Sequence, residues 1–258
     1  RNDVVLAGLI HKLGYRGTTS TALTFGDNDD CHGYLVGEAH QGLRYMFQMM
    51  NEARVGVGFG AAVLGYRGYR YALDYARDRL QGRHPDQADF SKPQVPIIEH
   101  ADVKRLLLTQ KVYAEAAIAM SLYSYRLVDD IETGDEAAAK DAHLLLDLLT
   151  PVLKSWPSEF GVKANDMAIQ VFGGAGYTRE YPVEQVWRDN RLNPIHEGTT
   201  GVQGMDLLGR KVWMANGKGL QLLARRILAD VERTTDDRCQ PFAQALKAML
   251  PRVEAATI

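Results

Sequence analysis

The sequence predicts a mainly α-helical protein, a helical bundle with a short β-segment ahead of it. Three observations carry that reading. Apolar residues recur at helical spacing from about residue 43 onward, strand-like runs are confined to the first 42 residues, and the long periodic segments are joined by short breaks such as Thr133-Gly134-Asp135. With 258 residues, 46% of them hydrophobic, the chain can bury a substantial core.

The elements follow in order. Val4 to Ile10, Ser20 to Phe25 and Gly33 to Val36 read as short strands, punctuated by Gly14, Gly17 and the turn-forming Gly26-Asp27-Asn28. They are too few to close a sheet. The chain starts without Met and runs at once into an apolar stretch, which points to a longer polypeptide whose N-terminal part is missing. After Leu43 the signal is helical. Leu106, Tyr113, Met120 and Leu127 recur every seven residues with Val103, Ala117 and Ile131 between them, interrupted by Gln110 and Ser124. Such a stripe must pack against other helices. Ala138, Ala142, Leu145, Leu149 and Val152 repeat the spacing, and Pro151 and Pro157 are expected to kink or restart the path before Val162 to Phe172. Two amphipathic segments, about Leu220 to Glu232 and Pro241 to Val253, complete the chain.

Composition narrows the function classes. A formal net charge of −2 comes from mixed charges along the whole chain, so no stretch offers the cationic surface that nucleic-acid binding needs. Cys31 and Cys239 stand far apart and read as free thiols of a reducing compartment. No apolar run is long enough for a membrane span. The histidines lack ligand spacing: His196 is isolated and Cys31-His32 is a lone pair, so no metal site is expected.

Three stretches could carry chemistry. Gly56-Val57-Gly58-Phe59-Gly60-Ala61 resembles a dinucleotide fingerprint, but a strand must precede that motif and here a helical pattern does. Small residues at Gly56, Gly60 and Gly68 letting two helices approach closely is the better reading. The group Gln170 to Tyr177 follows a helix, so its glycines first of all stop it, in a left-handed conformation; they would also let a backbone or a phosphate come close, with Gln170 offering an amide. The third stretch is Asn193-Pro194-Ile195-His196-Glu197-Gly198. Thr200-Gly201-Val202-Gln203 has the capping-box form, so a helix starts there and Glu197 lies just ahead of its positive end. Glu197 could be a cap or an ordinary surface acid. The proline before it and the glycine after it are a costly way to place one, and desolvation working against the helix end suits a general base.

Taken together, Val171 to Thr200, "VFGGAGYTREYPVEQVWRDNRLNPIHEGTT", resembles the signature of the acyl-CoA dehydrogenase family. A helix ending in Q-x-F-G-G-x-G-Y, a T-x-E-Y-P-V-E turn, an R-D segment and I-x-E-G-T appear in that family's order, and "NEARVGVGFGAAVLGYRGYRYALDYARDR" is similar to the first long helix of its C-terminal domain. "EGTTGVQGMDLLGRK" is most similar to a large-subunit branch with extra C-terminal helices.

The resemblance implies a fold: residues 1–42 as the end of a middle β-barrel domain, 43–214 as the C-terminal four-helix bundle, and 215–258 as additional helices. It implies FAD as cofactor, an acyl-CoA substrate and oxidation to the trans-2-enoyl-CoA. Glu197 matches the base that removes the α-proton while the β-hydride passes to the flavin. Asn51, Arg54 and Gly198 match substrate contacts. Arg79, Gln170, Gly173 and Gly174 match contacts to the flavin dinucleotide of a neighbouring subunit, and Thr199 and Gly201 match flavin contacts beside the base. Arg79-Leu80-Gln81-Gly82 departs from the family's R-x-T-F-G, and Glu99-His100-Ala101 lacks its usual glutamine. The resemblance further implies an electron-transferring flavoprotein as partner, a homodimer or homotetramer, and a bacterial cytoplasm rather than a mitochondrial matrix. An acyl-CoA oxidase and a non-catalytic helical assembly module are the alternatives. Because the flavin ring rests against barrel strands that these residues lack, the 258 residues alone are expected to bind FAD poorly.

Overall fold

The structure is a computed structural model that describes residues 2–84 and 89–257; the side chains of residues 47, 48 and 51 lie outside the description. Strands β1 (Val4–Leu9) and β2 (Thr21–Phe25) form an antiparallel pair, with a register irregularity between Leu6 and Gly8. The third expected strand is absent: Gly33 to Val36 is irregular, and Tyr34 and Val36 are 90% and 87% exposed. Alternation alone does not make a strand, since a third strand needs an edge to pair with and a surface to cover.

Helices α1 (Gly42–Asp78), α2 (Ala101–Thr133) and α3 (Glu136–Phe172) pack on one another, and α4 (Val183–Asn190) and α5 (Thr200–Gly209) lie against them. Asp135 caps α3 through a hydrogen bond from the Ala138 amide at 2.8 Å. A 3₁₀ stretch, Lys211–Gly217, holds Ala215, Asn216 and Gly217 at positive φ and turns the chain into α6 (Lys218–Arg233), which is followed by α7 (Gln240–Thr257). Buried Lys211 pairs with Asp147 on α3, and Lys218 with Asp141 at 2.9 Å, fastening this turn to the bundle. Among the described residues no helix is long and apolar enough to cross a membrane.

Pro151 and Pro157 do not restart the path: α3 runs through both without interruption. Each proline removes one ladder hydrogen bond. Hydroxyls keep neighbouring carbonyls occupied, Thr150 on Leu146 at 2.6 Å and Ser155 on Pro151 at 2.7 Å. Pro157 deprives the Leu153 carbonyl of its usual partner, and that carbonyl is the atom Gly58 of α1 approaches: a Cβ on Gly58 would lie 2.0 Å from it. Close approach of α1 and α3 therefore rests on Gly58, Gly65, Gly68 and Gly161, not on Gly56 and Gly60, whose Cβ positions meet nothing nearer than 3.9 Å. The dinucleotide reading of 56–61 also lapses, because those residues sit inside α1.

The core has two apolar ends and a polar waist. One cluster gathers Tyr69, Ala72 and Ala76 with Leu106, Leu107, Ala168 and Phe172; the other gathers Val55 with Leu127, Leu145, Leu149, Leu153 and Leu222. Between them, fully buried Gln110, Ser121 and Ser124 on α2 and Lys154, Ser158 and Asn165 on α3 face inward. Gln110 and Ser124, which interrupt the α2 stripe, are thus core residues, each bonded to the carbonyl one turn back at 3.1 and 3.0 Å. Such side chains are tolerated where their polar donors find partners, although Gln110 Oε1 is buried without one among the described residues.

Candidate active site

Glu197 stands on the loop between α4 and α5, half-buried, with φ at +53°. A left-handed conformation costs a residue with a side chain about 1–2 kcal/mol, so the surroundings must hold it there. They do so from two sides. Lys154, 0% exposed on α3, donates its ammonium to the Gly198 carbonyl, and Gln203 of α5 donates Nε2 to the Glu197 carbonyl at 2.8 Å. The capping box is not formed: Thr199 is the cap residue, without a side-chain hydrogen bond, and Gln203 reaches back to the Glu197 carbonyl instead. Gly198 has φ at +91°, and a Cβ there would lie 2.7 Å from Gln203 Nε2.

Charge is concentrated beneath this loop. Burial pushes the Lys154 ammonium's pKa down; Glu197 opposes that shift and Arg54 adds to it. Burial also lowers the His196 pKa, with Lys154 adding to the effect and Glu197 opposing it. Arg54 of α1 is buried and pairs with Asp206 of α5 at 2.8 Å. Burial acts to raise the Asp206 pKa, yet hydrogen bonds from Arg210 and Arg54 outweigh it and hold the carboxyl below its usual range. Arg54 Nε and Gln203 Oε1 are buried without a hydrogen-bond partner among the described residues. Asn51 lies on the same stretch of α1, but its side chain is outside the described residues, as is that of Phe47. Thr199 and Gly201 are exposed at the start of α5, and Gly201 borders open space.

The loop is also tied to the waist of the bundle. Arg188 of α4 bonds the Leu13 carbonyl at 2.9 Å and Asp189 accepts from the Tyr15 amide at 2.6 Å, docking the N-terminal segment. Asn190, the next residue, faces inward to Asn165 at 2.6 Å and to the Ala61 carbonyl at 3.2 Å. Sequence reasoning missed Lys154, Asp206 and these asparagines, and gave Gln203 a capping role instead of its bond to the Glu197 carbonyl.

A second group of the expected residues meets elsewhere. Arg79, Gln170, Gly173 and Gly174 line one cleft of about 810 Å³ with Tyr75, Phe172, Tyr181 and His100. Gly173 ends α3 at φ +60° and ψ −138°, a positive-φ stop that is not the left-handed helical one. Arg79 and Arg54 are 25 residues apart along one helix and its cap, about 37 Å at 1.5 Å per residue. The two groups therefore lie well apart along the bundle and cannot hold the same part of one ligand. Among the described residues no cluster of three or more His, Cys, Asp or Glu could hold a metal ion.

Comparison with known proteins places this arrangement. The profile of the acyl-CoA dehydrogenase C-terminal domain matches residues 40–212. The chain is 39% identical to 3-methylmercaptopropionyl-CoA dehydrogenase of Ruegeria pomeroyi over 89% of its own length and 38% of that protein. It is 35% identical to a butyryl-CoA dehydrogenase of Syntrophomonas wolfei, over 99% of this chain and 42% of the relative. It thus spans about two fifths of the length of these relatives. The crystal structure of Caenorhabditis elegans ACDH-11 in complex with C11-CoA superposes with a TM-score of 0.84 at 22% identity, covering 98% of this chain and 40% of that one, which shows a shared fold. With the profile matching most of the chain and both relatives above 30% identity, the protein belongs to the acyl-CoA dehydrogenase family.

Proposed function

We propose that the intact protein dehydrogenates an acyl-CoA thioester to its trans-2-enoyl-CoA, with Glu197 as the base that takes the α-proton. The observation that carries this reading is the placement of Glu197: a half-buried carboxylate held in a left-handed conformation by a buried lysine and a glutamine. A surface acid needs no such support. A carboxylate suits the task because it can accept a proton from a carbon acid that backbone donors have made more acidic. Asn51, Arg54 and Gly198 would contact the substrate, with Asp206 fixing the Arg54 guanidinium at 2.8 Å.

In this reading residues 1–42 close a middle β-domain, 43–214 form the bundle and 215–258 add helices to it. The residues of the far cleft fit FAD: a guanidinium, an amide and two glycines without side chains offer charge and close backbone approach to a pyrophosphate. Arg79, Gln170, Gly173 and Gly174 would hold the dinucleotide there, and Thr199 and Gly201 would meet a flavin beside the base. When bound, the flavin supplies the hydride acceptor for the β-carbon. The separation of the cleft from the Glu197 loop along the bundle supports a homo-oligomer in which one copy's cleft serves its neighbour's site, with an electron-transferring flavoprotein as the redox partner. The test is anaerobic bleaching of the intact protein's flavin by a panel of acyl-CoA esters. Wild-type protein should bleach and Glu197→Gln should keep its flavin and not bleach; bleaching of both at similar rates would refute the assignment.

A further inference from the structure

A chain of buried amides runs from the middle of α1 to the residue beside Glu197. Asn165 Nδ2 donates to the Leu64 carbonyl at 2.9 Å, and Asn190 Nδ2 donates to the Ala61 carbonyl at 3.2 Å and to Asn165 Oδ1 at 2.6 Å. Asn193 Nδ2 donates to Asn190 Oδ1 at 2.8 Å, and Asn193 Oδ1 lies 3.0 Å from His196 Nε2. Asn165, Asn190 and Asn193 are at most 2% exposed. Two glycines make the room: a Cβ on Gly68 would lie 2.3 Å from Asn165 Nδ2, and one on Gly161 would lie 3.0 Å from Asn190 Nδ2.

The direction of this chain is set by chemistry. A backbone carbonyl can only accept, so Leu64 and Ala61 fix which end of Asn165 and Asn190 is the amide nitrogen. With Asn190 Oδ1 left as acceptor, Asn193 must present its nitrogen to it and its oxygen to His196. His196 Nε2 must then carry a proton. We infer that His196 is a positioning residue for Glu197, locked as the Nε2–H tautomer by an asparagine relay that starts at the Ala61 and Leu64 carbonyls. The relay fixes the ring, and through the adjacent peptide it fixes the left-handed backbone from which the Glu197 carboxylate projects. This inference rests on Glu197 being the base. The lowered pKa of His196, from burial first and Lys154 second against the pull of Glu197, agrees with a ring that stays neutral.

The test uses the intact flavoprotein with histidine ring nitrogens labelled with nitrogen-15. The magic-angle-spinning signal that disappears in His196→Gln should show a protonated Nε2 and a bare Nδ1. Glutamine places its amide nitrogen as many bonds from Cβ as histidine places Nε2, so His196→Gln can still donate to Asn193, whereas His196→Leu cannot. His196→Leu and Asn193→Leu should lose about tenfold or more in kcat with KM changed less than about twofold, and His196→Gln should recover most of that loss. A bare Nε2 in the wild-type spectrum, or His196→Gln no better than His196→Leu, overturns the relay. Turnover that survives in Glu197→Gln would instead remove the base assignment, and the nitrogen spectrum would still decide the tautomer.

Discussion

The contact between α1 and α3 can be tested by adding one methyl group at a time. In Gly58→Ala the new Cβ would lie 2.0 Å from the Leu153 carbonyl oxygen, a backbone atom that cannot swing aside. Ordinary carbon–oxygen contact begins near 3.3 Å, so the helices must separate by roughly 1.3 Å or the carbonyl must tilt. Overpacking of this kind costs about 1–3 kcal/mol, and a backbone clash belongs at the upper end. Alanine returns about 1 kcal/mol of helix propensity. The net is a loss of about 1–2 kcal/mol, a fall of roughly 2–8 °C in the thermal midpoint for a bundle of this size. Gly60→Ala is the control, two residues along the same helix with nothing within 4 Å of its Cβ. It should gain up to about 1 kcal/mol, a rise of roughly 2–4 °C. Far-ultraviolet circular dichroism melts of the intact protein read both. Gly58→Ala melting at or above wild type, or the two variants moving together, refutes the packing argument.

Glu197→Gly should relieve the left-handed strain, raising stability by about 1 kcal/mol in the same melts while abolishing dehydrogenation; a lower midpoint would contradict the strain. The Asp206 carboxyl, held below its usual range against the opposing effect of burial, contributes stability present above its unfolded value near 3.8 and lost as pH falls through the lower folded one. Asp206→Asn should therefore be less stable at neutral pH and lose less on acidification, measured by urea denaturation between pH 3 and pH 7. For His196 the folded pKa lies below 6.5, so its contribution to stability falls as pH drops from about 6.5 through the folded value, and His196→Gln should flatten that segment of the same profile. Arg79→Met should lower flavin content after gel filtration without changing the circular dichroism spectrum; full retention would take the proposed cofactor-holding role from Arg79.

The long helices were legible because their apolar stripes are local signals. Burial of polar residues was not. On α3, Asp147, Thr150, Lys154, Ser158, Gly161 and Asn165 follow helical spacing, a pattern that normally marks a solvated face, and all six are buried. Thr150 and Ser158 bond carbonyls one turn back in α3, but Lys154 and Asn165 find theirs far off in sequence, on the Glu197 loop and on α1, and Asp147 pairs with Lys211. Two prolines suggested a break in α3 that tertiary packing overrides. The register of α1 against α3 chose Gly58 and Gly65 over Gly56 and Gly60, a choice that spacing alone could not make. At the site, Glu197 stood out because a proline and a glycine flank it closely. Gln203 looked like half of a capping box, but its amide donates to the Glu197 carbonyl instead, a contact that no local pattern announces.

The most direct measurement of whether Glu197 removes the α-proton is solvent exchange. The intact protein is incubated anaerobically in deuterium oxide with an acyl-CoA whose β-carbon cannot give up hydride, and α-deuterium is followed by mass spectrometry. Wild type should wash deuterium into the α-position, and Glu197→Gln, with flavin retained and thioester still bound, should slow that exchange by at least about a hundredfold. Exchange at the wild-type rate in Glu197→Gln would contradict the account.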